Sequence, residues 1–370
     1  MQTALKVVVA INNQLNRYTM ELNEEKLHDL LGKVVTEMGA AANGPLVTIG
    51  DKLGLYTTLS ESEPLSSSEL AAKTNTAERY VREWLSAQAA SGYVQYDAST
   101  QKFSMTPEQT MVFGNRESPV FMTGAFYAIS SVYHDEPKIE KAFKTGEGVS
   151  WGDHNSCLFC GTEKFFSPSY EGNLISNWLP AMEGLVEKLE KGAKVADIGC
   201  GHAASTIIMA KAFPNSSFIG FDFHAPSIEQ AKERAKAAGL TNISFEVATA
   251  KDYPGNDYDF IAFFDCLHDM GDPVGACAHT KAALKPDGTC MIVEPFAKDS
   301  LEENLNPVGR AFYAFSTMLC TPCSLNQEVG LALGAQAGEK RLKEVITQGG
   351  FSKFKRAMET PFNLILEARP

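Results

Sequence analysis

The run Val195-Ala196-Asp197-Ile198-Gly199-Cys200-Gly201-His202-Ala203 constrains this chain more than any other stretch. Lys194–Ile198 is short and mostly apolar and reads as a strand, and two glycines follow it. His202–Phe213, with Ile207, Ile208 and Ala210 on its apolar side and Pro214 as a stop, reads as a helix. A second apolar strand, Phe218–Phe221, ends at Asp222, about twenty residues past the first strand. Pro226 lies in the first turn of the next helix, which runs to about Ala238 and is capped by Gly239. Strand, helix, strand, helix in this order predicts a parallel sheet. Glycines let the backbone pass close to a ligand, and a carboxylate at the second strand end has lone pairs for both hydroxyls of a ribose. The unit predicts a nucleoside-cofactor pocket. The competing readings are a turn-stabilising cap for Asp197 and a helix N-cap for Asp222.

Two cofactors fit the glycines, because Gly199-x-Gly201-x-x-Ala204 also satisfies a relaxed dinucleotide fingerprint. Three features favour the other reading. Asp197 stands two residues before the first glycine. Leu284-Lys285-Pro286-Asp287-Gly288-Thr289 forms a turn into the strand Cys290–Val293. Asp257-Tyr258-Asp259 leads into the strand Phe260–Phe264. This series resembles the class I S-adenosylmethionine-dependent methyltransferases. The resemblance implies a Rossmann-like seven-stranded α/β sheet with S-adenosyl-L-methionine as cofactor. Asp197, Gly199 and Gly201 match the family's first motif and Asp222 its ribose acid, with Phe223 beside it. The family often carries an acid near the end of strand three for the adenine amine. Here Ile243–Val247 runs into Ala248-Thr249-Ala250, and Asp252 comes two residues late. Adenine recognition is therefore assigned to backbone groups, with Thr249, Ala250 and Asp252 as the candidates.

The chemistry is expected past the carboxyl edge of the sheet. Strand four opens into Asp265-Cys266-Leu267-His268-Asp269-Met270-Gly271-Asp272. A histidine there has the side chain best suited to removing a proton near neutral pH. Leu-His-Asp followed by Gly-Asp resembles the small-molecule O-methyltransferases of the plant phenolic type, which also carry a winged-helix-like N-terminal domain. That resemblance implies His268 as general base and Glu294, in Val293-Glu294-Pro295, as the residue that orients it. The plain alternatives are a histidine that hydrogen-bonds a loop and a glutamate that caps one. Asp269 is assigned to orienting the loop or capping the helix after Pro273, and Asp265 to the cofactor side.

At 370 residues the chain is too long for the sheet domain alone. Residues 1–115 read as a helical winged-helix domain, 116–180 as a helical bridge, and 181–370 as the methyltransferase domain, with an insertion over 298–338. In the first unit, helices are expected over Glu24–Ala42 and from Leu46 to Leu59, separated by Gly44-Pro45. A short capped helix, Glu78–Ala90 and a hairpin, Tyr93–Asp97 with Lys102–Met105, follow. Thr48–Leu59, Pro168-Ser169-Tyr170, Asn304-Leu305-Asn306-Pro307-Val308-Gly309-Arg310 and Gly334-Ala335-Gln336-Ala337-Gly338-Glu339 resemble a bacterial group of winged-helix methyltransferases often labelled transcriptional regulators, a resemblance that covers nearly all of the chain.

Net charge is −12, and Ser60–Met105 holds four basic against six acidic side chains. Such a surface offers little counterion release, so DNA is not expected as a partner. Apolar residues from Val34 to Leu59, Val35, Met38, Leu46, Ile49, Leu53 and Leu55 among them, predict a homodimer through this domain, which is also expected to wall the acceptor pocket. No run of membrane-spanning length occurs, and a cytoplasmic protein is implied. Phe312, Tyr313, Phe315, Met318 and Leu319 of the insertion, with Phe121, Met122, Phe126, Tyr127, Trp151, Phe165 and Phe166 of the bridge, suit a flat apolar acceptor or serve as interdomain core. Cys157-x-x-Cys160 and Cys320-x-x-Cys323 have zinc-like spacing, yet free cysteines with no metal are the expectation. The readings carried forward are methyl transfer to a small acceptor, a cofactor-sensing regulator, and an NAD-dependent oxidoreductase.

Overall fold

The computed structural model describes residues 22–370. The N-terminal unit opens with helix α1 (Glu24–Lys52), capped by Asn23. The expected break at Gly44-Pro45 is absent, and α1 runs through Pro45. An internal proline removes a helix hydrogen bond and crowds the carbonyl four residues back, and one local and two long-range bonds hold this stretch in place. Thr48 Oγ1 donates to Pro45 O, Trp84 Nε1 to Leu46 O and Gln88 Nε2 to Asn43 Oδ1. The chain turns instead at Gly54, whose φ is +68°, into α2 (Leu55–Ser60).

Helix α3 (Ser67–Thr74) begins with a reciprocal capping box between Ser66 and Glu69. Helix α4 (Glu78–Ala90) follows, then a hairpin shorter than expected, β1 (Gln95–Asp97) with β2 (Lys102–Ser104). Val47, Leu55, Tyr56, Leu59, Leu70, Trp84 and Leu85 form the core of this unit.

Two long helices, α5 (Thr123–Thr145) and α6 (Cys157–Asn173), make the bridge. They pack closely because Gly124 and Gly161 leave no room for a side chain. A Cβ on Gly161 would lie 2.4 Å from Ala128 N. The bridge is tied to the first unit at buried Asp51, which accepts from Tyr127 Oη at 2.6 Å and pairs with Lys164 and Arg116.

Helix α7 (Leu185–Lys191) leads into β3 (Lys194–Ile198), α8 (Ala204–Ala212), β4 (Ser217–Asp222), α9 (Ala225–Ala237), β5 (Ile243–Val247) and β6 (Tyr258–Phe264). Then come α10 (Pro273–Ala283), β7 (Leu284–Pro295), α11 (Pro307–Phe315), α12 (Thr321–Leu325), α13 (Gly338–Gln348), β8 (Lys353–Glu359) and β9 (Asn363–Arg369). The seven strands form one mixed sheet in the order β5-β4-β3-β6-β7-β9-β8. The first five are parallel, and β9 returns antiparallel to β7. The turn at Lys285–Thr289 lies within β7, where its pairing with β6 shifts register between Tyr258 and Phe260. Apolar residues cover both faces, as a parallel sheet between helices requires. The reversal of strand order beside β3 leaves a crevice at the carboxyl edge, where ligands of open α/β sheets bind.

Candidate functional site

The loop after β3 owes its shape to alternating left-handed residues. Gly199, Gly201 and Ala203 have φ of 71°, 52° and 65°. Gly199 N and Cys200 N both donate to Phe221 O, which folds the loop over the end of β4. A Cβ on Gly199 would strike Cys266 Sγ at 2.8 Å, whereas one on Gly201 would meet open space. Asp222 is held by two backbone donors, Gly201 N at 2.9 Å on Oδ2 and His224 N at 2.8 Å on Oδ1. Each oxygen keeps a lone pair for a ligand. Burial raises this carboxyl above its ordinary range, against the pull of those two N–H groups.

Asp197 stands elsewhere. It is fully buried beneath the loop and accepts from Ser205 Oγ at 2.7 Å and Thr206 Oγ1 at 2.6 Å. Burial pushes it up to about 6, with the two hydroxyls opposing. It ties the first turn of α8 to the end of β3 and does not line the cavity.

A cavity of about 760 Å³ runs from this loop across the sheet edge. Asp222, Phe223, Thr249, Ala250 and Asp252 line one end. Thr249 donates to Asp252 Oδ1 through both its N–H (3.0 Å) and its hydroxyl (2.6 Å), so Asp252 closes the loop after β5. Phe165, Phe166, Phe312, Phe315 and Leu319 line the rest, and Trp151 packs both with Phe312 and Leu319 and with Phe159, whose ring stacks on His224 beside Asp222. Phe121, Met122, Phe126, Tyr127, Tyr313 and Met318 do not reach the cavity. Tyr127 is spent on Asp51, and Phe126 packs on the winged-helix core. Among the described residues none before Ala125 lines the cavity, so the bridge, not the winged helix, walls it.

His268 lies on a single 3₁₀ turn after β6, only 4 % exposed. Its Nδ1 is 2.7 Å from Glu294 Oε2, and Glu294 Oε1 accepts from Leu267 N at 3.0 Å. An ionised carboxylate only accepts, so Nδ1 donates and Nε2 is the ring atom left for the cavity. Glu294 is itself buried behind the histidine and does not line the cavity. Burial alone would lower the histidine pKa; the carboxylates of Asp269 and Glu294 outweigh it and raise it well above the usual value. Asp269 Oδ1 approaches Nε2 to 3.2 Å without a hydrogen bond. The cap of α10 is Asp272, whose Oδ1 accepts from Gly275 N at 2.8 Å, and not Asp269.

Asp265 joins the two ends. It adopts a φ of 51° and accepts from Tyr170 Oη at 2.8 Å and Asn363 Nδ2 at 2.9 Å. Burial pushes its carboxyl up to about 8.

Residue types alone did not single out several contributors. Asn363 arrives from β9 about a hundred residues later in the chain, with nothing local to mark it. Phe159 lines the cavity from α6, and Glu163 takes His202 Nδ1 at 2.9 Å and pairs with Arg234. The two cysteine pairs do not meet as a cluster. Cys320 and Cys323 line the cavity, and Cys157 and Cys160 do not.

Comparison with known proteins agrees with this architecture. Residues 189–350 match a family model described as a methyltransferase domain, and residues 41–115 one described as an Rv2258c-like winged HTH domain. A putative O-methyltransferase of Nostoc punctiforme PCC 73102 has the same fold, with a TM-score of 0.68, 22 % identity, and coverage of 92 % of this chain and 98 % of that one. Human N-acetylserotonin methyltransferase, solved in complex with S-adenosylmethionine, superposes with a TM-score of 0.65 at 17 % identity, covering 95 % and 99 %. The ubiquinone biosynthesis O-methyltransferase of Actinobacillus pleuropneumoniae serotype 7 (strain AP76) is 34 % identical over 104 residues, 26 % of this chain and 43 % of the relative. The chain thus spans less than half the length of that curated relative. Fold and matches together define a class I methyltransferase domain, of the class that uses S-adenosyl-L-methionine, behind a winged-helix domain.

Proposed function

We propose that the protein transfers a methyl group from S-adenosyl-L-methionine to an oxygen of a small apolar or aromatic acceptor, with His268 as general base. One observation carries this reading: the Glu294–His268 pair stands at the aromatic end of a cavity whose other end is the glycine loop.

The cofactor end fits the group. Gly201 has open space where a side chain would otherwise stand, so a ligand can approach its backbone. Asp222 has two oxygens oriented by backbone N–H groups, which suits a diol. Phe223 is 48 % exposed on the cavity wall and offers an apolar ring beside the Ala248–Asp252 loop for a flat base. Bound there, S-adenosyl-L-methionine supplies an electrophilic methyl group.

The chain's own residues do the rest. Trp151, Phe165, Phe312 and Phe315 exclude water from the acceptor end and orient a flat ring. Once its own Nε2 proton has left, His268 takes the proton of the acceptor hydroxyl there, so turnover rises with pH through the raised pKa of the ring. Glu294, bonded to Nδ1 and to Leu267 N, fixes the ring and favours the imidazolium that results. Calorimetry with S-adenosyl-L-methionine and with NAD, followed by a methyl-transfer screen of phenols, tests the reading. The expected result is micromolar or tighter binding of the former only, roughly −8 kcal/mol, and turnover on at least one phenol. Preferential NAD binding would overturn it.

The N-terminal domain supports assembly better than DNA reading. On α4, Arg79 pairs with Glu83 and Arg82 with Glu78, so each arginine has an acid beside it and the helix offers phosphate no net positive face. On α1, Leu30, Leu31, Val34, Val35 and Met38 are each at least 45 % exposed and recur at helical spacing. Leu55 and Leu59 are internal core. We read α1 as the contact of a homodimer. Light scattering should give a dimer, and Leu31→Glu with Val35→Glu a monomer.

A further inference from the structure

Three different ligand types converge where the proposed base faces the cavity. His268 Nε2, Asp269 Oδ1 and Cys320 Sγ lie within 4.8 Å of one another. They come from the turn after β6 and from the end of the insertion's π-turn, Ser316–Cys320, on the opposite wall. His268 and Cys320 are buried, so this is not a chance grouping of surface acids.

Two further observations point to a cation. Asp269 Oδ1 is shielded from solvent and accepts no hydrogen bond; its charged neighbour is His268 Nε2 at 3.2 Å, whose proton a divalent cation can replace. Glu294 holds the far nitrogen of the same imidazole at 2.7 Å. A carboxylate behind a histidine is the arrangement that fixes the ring tautomer and aims the other nitrogen at a metal.

We propose that His268 Nε2, Asp269 Oδ1 and Cys320 Sγ form a binding site for a borderline-soft divalent cation, zinc above all, and that its occupancy silences methyl transfer. One imidazole, one thiolate and one carboxylate suit zinc or cobalt and not magnesium or calcium. Three protein ligands leave a fourth position open to the cavity. Coordination sends the thiol proton and the proton held on Nε2 to solvent and occupies the lone pair that Nε2 then has. The same nitrogen cannot then take a proton from an acceptor, so the cation and the acceptor compete for it. The inhibition rests on the methyl-transfer reading; the binding site does not.

Cobalt(II) titration of the full chain tests the site, with absorption as the readout. The wild type should bind one equivalent, with tetrahedral d–d bands and a thiolate-to-cobalt charge-transfer band. Zinc should abolish both. Cys320→Ser should lose the charge-transfer band and His268→Ala should lose the site. Glu294→Gln, which keeps the first ligands, should weaken cobalt binding roughly 10–100-fold. Asp269→Asn provides a variant of similar shape should Cys320→Ser fold poorly, and it too should bind weakly. A charge-transfer band that survives Cys320→Ser but vanishes in a Cys157→Ser, Cys160→Ser chain would overturn the site, as would no binding at tens of micromolar. Zinc should also stop phenol methylation, and a chelator should restore it. Undiminished turnover by zinc-loaded protein would overturn the inhibition and leave the site. Cobalt binding by a chain inactive on every acceptor would instead overturn the methyl-transfer reading.

Discussion

The two ends of the cavity are built in opposite ways. The cofactor end comes from one continuous segment, Gly199 to Asp252, and its geometry is mostly backbone. Gly199 and Gly201 hold left-handed dihedrals, Gly201 N and His224 N orient Asp222, and Thr249 N is tied to Asp252. The acceptor end is made of side chains brought from four parts of the chain. Trp151, Phe165 and Phe166 come from the bridge, His268 from the turn after β6, Glu294 from β7, and Phe312, Phe315 and Cys320 from the insertion. A site made of backbone leaves a local signature in sequence, because only certain residues adopt the required dihedrals at the required spacing. A site made of assembled side chains leaves a list of candidates whose members only the packing can sort.

The comparison breaks most decisively at His268. His268→Ala should cut turnover on a hydroxyl acceptor about 10²–10⁴-fold while leaving S-adenosyl-L-methionine binding near normal. Steady-state rates beside calorimetry check this. Full activity on a neutral phenol would remove the base, and a parallel loss of cofactor affinity would show that the ends are not separate.

The converse experiment is smaller in magnitude. Asp222→Ala removes two acceptors whose orientation the backbone supplies. It should weaken cofactor binding by on the order of 1.5–3 kcal/mol, about 10- to 150-fold. Turnover at saturating cofactor should change far less. An unchanged affinity would remove the ribose assignment and leave Asp222 as a brace for the glycine loop.

This division explains what could be read in advance. The strand Ile243–Val247 and the helix Glu78–Ala90 have the expected bounds, because each carries an unbroken local pattern. Pro45 misled the reading of α1, since its usual helix-breaking effect was overridden by Trp84, Gln88 and Thr48, two of them distant in sequence. His268 and Glu294 were legible because each follows a recognisable strand. Their 2.7 Å contact is the cross-strand consequence of β6 pairing with β7. Asp197 was expected at the ligand and instead serves α8, because its two partners, Ser205 and Thr206, lie eight and nine residues ahead, in the first turn of an ordinary-looking helix. Of the aromatic, Met and Leu residues left open between acceptor wall and core, half line the cavity and the others do not. Hydrophobicity alone does not say which side of a helix faces a cavity. Cys320 gave a spacing signal that pointed to the wrong partners, since its neighbours in space are His268 and Asp269 and not a second cysteine pair.

The finest test lies at the seam between the two ends. Asp265 is buried, accepts from Tyr170 and Asn363, and titrates at about 8 against an ordinary value near 4. The sign follows from which state holds the proton. The folded chain keeps it between about pH 4 and 8 and the unfolded chain does not. This group therefore favours folding most below pH 4, and that contribution is lost progressively as pH rises through 8. Near neutral pH the raised carboxyl of the ligand-free protein holds the proton. A cationic ligand lodged beside the carboxylate favours its charged form, so the proton should leave on binding. Calorimetry at pH 7 in buffers of different ionisation enthalpy should show a release approaching one proton for S-adenosyl-L-methionine. The release should be smaller for S-adenosylhomocysteine, whose sulfur is neutral, and absent in Asp265→Asn. A binding enthalpy independent of buffer in the wild type would place the sulfonium away from Asp265. The carboxyl would then be a structural clamp between β6, α6 and β9, and the two ends of the cavity would be electrostatically as well as architecturally separate.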